Sequence, residues 1–254
     1  MRAERLFRFG GLALVLLFPL LSVLQLGEGE QPWRDAARRV RPSVLGLYGG
    51  AAAEGADFVA CGVVLDAAPA RLVVPGRLGD RALWSRHDDG WLCWQPLMAD
   101  VEGEFTVLQA AGFEADPGHE PPARWSELVA QAAVNPNPQG QPAREVEVAL
   151  VAPPELADQP LWVGVLTAET SHNGRATYRS NFLHPVPDSA ALSTTAAHAS
   201  SEVELADALR GAPFVDAAGN AVAIFVGRNE RGMRALAVET VVQSLVLLHL
   251  QAAK

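Results

Sequence analysis

The stretch ELADALRGAPFVDAAGNAVAIFVG, Glu204 to Gly227, sets a cation, Arg210, directly ahead of Gly211-Ala212-Pro213, where the flanking residues are small or apolar. APFVD (212–216) and AVAIFVG (221–227) are short apolar runs with strand composition. DAAGN between them supplies Gly219-Asn220, where positive φ is tolerated, so the pair reads as a hairpin entered through a tight turn. The same texture runs through most of the chain. SVLGLYG (43–49), FVACGVVLD (58–66), RLVVPG (71–76), RALWSR (81–86), WLCWQPLM (91–98) and EFTVLQA (104–110) are brief apolar or alternating runs punctuated by Gly, Pro, Asp and Asn. A second set comprises REVEVALV (144–151), LWVGVLTAE (161–169), ATYRSNFLHP (176–185), the two runs of the opening stretch, and RALAVE (234–239).

Between the sets, residues 112–142 are rich in Pro, Gly, Asn and Gln, with DPGHEPP and NPNPQGQP near their ends and at most a helical turn at ARWSELVAQ. That segment has too little apolar surface to build a core and reads as an exposed connection. TVVQSLVLLHLQ places Val241, Val242, Leu245, Leu248 and Leu250 at helix-compatible spacing. The expected fold is therefore all-β, two six-stranded barrels with a C-terminal helix. The first barrel covers 40–111, the linker 112–142, the second barrel 143–240 and the helix 241–254.

At 254 residues, 49% hydrophobic and 19% charged, the chain has the composition of a globular protein with a sizeable core. Its net charge is -9, and the N-terminus conceals part of the acidity. Of 20 basic residues, Arg2, Arg5 and Arg8 stand before Phe9, leaving 17; of 29 acids only Glu4 does, leaving 28. Such a surface repels phosphate backbones, which argues against a nucleic-acid partner.

FGGLALVLLFPLLSVLQL, Phe9 to Leu26, carries no charge over 18 residues. As a helix it would be about 27 Å long, close to the ~30 Å of a hydrocarbon core. Arginines before it and acids after it predict that the bulk of the chain lies outside the cytoplasm. The length and the lack of an A-x-A site at LSVLQLGEGE favour an uncleaved anchor within residues 1–30 over a removed signal peptide. Cys61 and Cys93 form an even pair that an oxidising compartment would allow to bridge; the alternative is two free thiols acting as small hydrophobes. Neither has the spacing of a zinc site. HDDG (87–90) reads as a solvated hairpin turn rather than a metal cluster, and DSAALSTTAAHASSE (188–202) as a low-complexity loop. No phosphate, dinucleotide or metalloprotease motif is present, so no cofactor or metal is expected.

From about Val40 onward the order of segments resembles the trypsin-like serine peptidases, most closely the HtrA type of bacterial envelope protease. RRVRPSVLGL is similar to that family's first strand. ACGVVLDAAPARLVVPGRL resembles its Gly-Ser-Gly-Val-Ile strand and the loop bearing the catalytic histidine, and EFTVLQA the Asp-Leu-Ala-Val-Leu strand bearing the aspartate. VGVLTAE resembles the Gly-Ile-Val-Ser-Ala strand, LRGAPFVDAAGNAVAIFVG the Ser-Gly-Gly-Pro-Leu segment with its hairpin, and LAVETVVQSL the Phe-Ala-Ile-Pro strand and closing helix. The resemblance implies that the positions of histidine, aspartate and serine fall on Arg77, Glu104 and Arg210.

Those residues cannot run the family's chemistry. A guanidinium stays protonated at physiological pH, so it is no general base, and it offers no attacking oxygen. VVPGRLGDR (73–81) contains no histidine and ELADALRGAPF (204–214) no serine. The expectation is an anchored, extracytoplasmic pseudoprotease that binds or scaffolds a protein or extended peptide in its inter-barrel cleft. There Glu104 would bridge Arg77, Arg210 or both. His184, ahead of Pro185, is the histidine expected nearest the cleft. Competing readings are an active serine-type peptidase or other hydrolase with a rearranged site, and a structural subunit of a membrane complex.

Overall fold

A computed structural model describes residues 30–67, 70–78, 81–100, 104–115, 145–156, 160–170, 176–180, 183–186, 208–230 and 232–252. The expected anchor at Phe9 to Leu26, most of the linker and the hydroxyl-rich loop 188–202 lie outside the described residues. Among the described residues, no helix is long and apolar enough to cross a membrane.

Six strands form the first barrel: β1 (Val44–Gly49), β2 (Asp57–Ala67), β3 (Ala70–Pro75), β4 (Leu83–His87), β5 (Gly90–Ala99) and β6 (Phe105–Ala115). They close in the order β1-β2-β3-β6-β5-β4, every neighbour antiparallel. Because side chains alternate across a strand, each run feeds two cores. Leu47, Val64, Leu72, Val74, Leu92, Trp94 and Leu108 point into the barrel. The alternate residues Val44, Cys61, Val63, Val73, Phe105 and Val107 point out of it and join the core of the second barrel. Burial on both faces explains why β3, ARLVVP, reads as a nearly continuous apolar run rather than an alternating one. β6 continues past Gly112 to Ala115, so the linker begins later than its composition suggests.

The second unit contains β7 (Glu145–Leu150), β8 (Leu161–Thr170), β9 (Ala176–Ser180), β10 (Leu183–Val186), β11 (Pro213–Val215), β12 (Ala221–Asn229) and β13 (Gly232–Ala237). The sheet order is β10-β8-β7-β11-β12-β13-β9, and a further β8–β9 pairing closes six of these strands into a ring. β9 and β10 lie in tandem along β8: Thr167 faces Arg179, whereas Gly164 faces Leu183, a register slip of one residue. The run ATYRSNFLHP, expected as one strand, is thus two, and β10 extends the ring as an extra strand. Phe214 and Phe225 meet edge to face at 6.0 Å in this core. The DAAGN turn forms as its residues predict: Gly219 has φ 81, and the Asp216 carboxylate accepts the Asn220 backbone N–H at 2.8 Å.

Helices among the described residues pack against the second barrel. α2 (Val238–Ala252) caps the second barrel with Val238 and Val241. Residues 30–40 form a helix, α1, that buries Ala36, Ala37 and Val40 in the same core while Arg38 and Asp35 pair on its outer side. β1 therefore begins only at Val44, after a 3-10 turn at Arg41–Ser43 with Pro42 in its first positions.

His87 departs from its expected place in a solvated turn. It ends β4 with its ring drawn toward the barrel interior, Nε2 lying 3.0 Å from Ser85 Oγ, and Trp94 Nε1 donates to the same oxygen at 2.8 Å. An indole only donates, so the wholly buried Ser85 hydroxyl accepts from Trp94 and shares a second hydrogen bond with the His87 ring. Burial lowers the His87 pKa, with Asp88 pulling the other way. A lowered folded-state pKa contributes stability that is complete above about 6.5 and is lost as pH falls through the folded value. Urea denaturation should show wild-type stability falling between pH 7 and pH 5 more steeply than that of His87→Gln; equal slopes would contradict the assignment.

Candidate functional site

The turn at 209–212 is fastened to both barrels. Ala212 N–H closes it onto Leu209 O at 2.9 Å, while Gly211 N–H and Phe225 N–H exchange bonds with β12 through Phe225 O and Ala212 O, at 2.8 and 2.9 Å. Across the seam, Cys61 N–H of β2 donates to Arg210 O at 2.7 Å. Gly211 makes this approach possible. Its φ is 95, and a Cβ there would stand 1.9 Å from Cys61 O.

The other two expected positions converge on the same place. Gly76 N–H donates to Glu104 O at 2.7 Å, and Thr106 Oγ1 donates to Gly76 O at 2.7 Å, so the ends of β3 and β6 are locked together. Arg210 is exposed, and its Nη2 lies 2.8 Å from where a Cβ on Gly76 would be, so the guanidinium rests against the residue that precedes Arg77. Arg77 itself lines a groove at the end of the first barrel. The Glu104 carboxylate, from the first barrel, is held by Arg234 of β13 in the second, and its Oε2 is buried with no hydrogen-bond partner among the described residues. Sequence reasoning missed Arg234. It is 130 residues from Glu104, and nothing in GMRALA marks it apart from any solvated arginine on a strand.

His184 lies exposed on β10 opposite Val163, with β8 and β7 between its strand and β11 in the sheet order. Both thiols are free. The disulfide alternative fails on topology: two strands separate β2 from β5 in either direction around the ring. Cys61 faces the seam, where burial, reinforced by Glu155, pushes its thiol pKa well up and its Sγ lies 3.4 Å from Ala208 O. Cys93 is half-buried on β5, opposite Trp84 and Gly112. The described side chains at the convergence, Arg210, Glu104, Arg234, Thr106 and Cys61, include no imidazole.

Two linked barrels and a turn pinned between them place the chain beside known structures. It overlays on the serine endoprotease from Yersinia pestis with TM-score 0.51 at 12% identity, covering 85% of this chain and 66% of that one. The HtrA-type protease AlgW with decapeptide gives TM-score 0.54 at 14% identity, covering 85% and 68%. The fold is that of the trypsin-like serine proteases. At these identities the likeness concerns architecture alone, and the chain spans about two-thirds of the length of each. No family model and no curated protein matches the sequence.

Two predictions follow from the trypsin-like seam. Gly211→Ala should cost about 2–4 kcal/mol in chemical denaturation, because both φ and the Cys61 carbonyl oppose a Cβ. Gly219→Ala should cost about 1 kcal/mol, from left-handed strain alone, since its Cβ would clear Arg39 by 3.6 Å. A double-mutant cycle on Glu104→Gln and Arg234→Gln should give a coupling of about 0.5–1.5 kcal/mol that shrinks in 1 M salt. Arg234 is 43% exposed and the pair is screened accordingly. A coupling near zero at low salt would remove the ion pair from the seam.

Proposed function

We propose that this chain is a pseudoprotease: a trypsin-like barrel pair, anchored in a membrane through Phe9 to Leu26 and exposed outside the cytoplasm, that binds an extended peptide or protein segment without hydrolysing it. The observation that carries the reading is Arg210 at the tip of the pinned turn, with its guanidinium against Gly76. A permanently protonated group at that place supplies neither nucleophile nor base, and Arg77 follows on the other side.

Binding needs less than catalysis does. Among the described strands, β12 pairs with β11 only as far as Ile224, and Gly211 and Ala212 take both backbone groups of Phe225. Beyond that, Gly227 and Arg228 pair with Arg234 and Met233 of β13. An extended peptide binds a strand edge by main-chain hydrogen bonds and needs no triad to do so. The solved HtrA-type neighbour with a decapeptide supports a peptide as the kind of occupant.

The test uses carbonate-washed membranes, in which an anchored chain remains and a released one does not. A serine-reactive phosphonate should leave the chain unlabelled, and fluorogenic peptides should show no turnover above a vector control. Stoichiometric labelling of any Ser or Thr would establish the rival reading, a hydrolase with a rearranged site.

A further inference from the structure

Glu104 and Arg234 engage each other across the seam between the barrels, which leaves the charge of Arg210 unanswered. Exposed at the tip of the pinned turn, its guanidinium has no hydrogen-bond or ion-pair partner among the described residues. The second acid at this place, Asp100, is 3% exposed and accepts Glu104 N–H at 3.4 Å. Leu209 and Ala212 are buried on either side of the tip, so within 209–212 the arginine alone presents a side chain to solvent.

That side chain crosses the seam. It leaves a turn that feeds β11 of the second barrel and ends on Gly76, at the end of β3 in the first, with Nη2 2.8 Å from where a Cβ would stand. Its seat is fixed. Gly76 is held at both backbone groups, by Glu104 O and Thr106 Oγ1, and its φ of 83 disfavours any side chain that would push the guanidinium away. The root is fixed as well, since Arg210 O and Gly211 N–H are bonded to Cys61 and Phe225.

A guanidinium matches a carboxylate through two parallel N–H···O bonds. A polypeptide offers that group on Asp or Glu side chains and at its C-terminus. The direction of Arg210 favours the terminus: an extended segment laid in the seam meets the arginine as a bar across its path. A chain that ends there sets its α-carboxylate against the guanidinium, whereas a chain that continues must lift over it. We propose that Arg210 receives a chain end, the cleft binding the C-terminal residues of a partner polypeptide with the terminal carboxylate on the Arg210 guanidinium. The inference rests on the peptide-binding reading and names the part of the partner that is bound.

The experiment is fluorescence anisotropy on the full chain in detergent. The probes are three decapeptide libraries labelled at the N-terminus: one with a free C-terminal carboxylate, one amidated, and one amidated with Glu fixed at an internal position. The free-acid library should bind at least about tenfold more tightly than either amidated library at about 50 mM salt, and the difference should shrink at about 500 mM as screening shortens. Arg210→Gln should bring the libraries within about twofold of one another, Arg210→Lys should retain part of the preference as a point charge, and Arg38→Gln on α1 should change nothing. Near-UV circular dichroism establishes that each variant is folded. Equal binding of acid and amide, tightest binding of the internal-Glu library, or an unaltered preference in Arg210→Gln overturns the chain-end assignment and leaves peptide binding standing. Binding of none of the libraries overturns both.

Discussion

The hydrogen bond from Cys61 N–H to Arg210 O, 2.7 Å long, ties the barrels together where Gly211 lets their backbones meet. Everything nearby takes its position from that contact. The turn cannot swing, because its other face is bonded to β12; β2 cannot retreat, because Val63 and Cys61 are buried in the core that both barrels share. The contact needs no side chain at 210. An arginine can therefore occupy the position with its charge in solvent, where desolvation costs little.

The Glu104–Arg234 pair shows the contrasting case. Glu104 is only 18% exposed, and its backbone is held by Gly76 on one side and, at 3.4 Å, by the Asp100 carboxylate on the other. A carboxylate so placed needs a cation, and β13 supplies one from across the seam. Arg210 lies on Gly76, and Arg77 lines the groove. The sequence reading assigns the Glu104 carboxylate to Arg77, Arg210 or both and does not name Arg234. That choice depends on side-chain direction, which no local pattern encodes.

The strands were legible because turn residues bracket them, and even the double burial of β3 and β12 shows as unbroken apolar composition. What escaped had weaker local signals. In α1, QPWRDAARRV buries only two alanines and a valine, a stripe too thin to stand out against a charged background. β9 and β10, parts of one strand-like run, pair with β8 one residue out of register with each other, a slip that no Gly or Pro between them announces. At HDDG the turn chemistry was read correctly for Asp88 to Gly90, but His87 belongs to the strand before it. Inward alternation from Leu83 and Ser85 sends its ring toward the barrel, a period-2 argument available from the sequence had β4 been carried one residue further.

Main-chain bonds and glycines fix the backbone around Gly76, Glu104 and Arg210, so that backbone geometry does not depend on the side chain at position 210. Here Gly76, Gly211 and Thr106 hold the ends of β3, β6 and the 209–212 turn, so the side chains at 77 and 210 are free to change their chemistry.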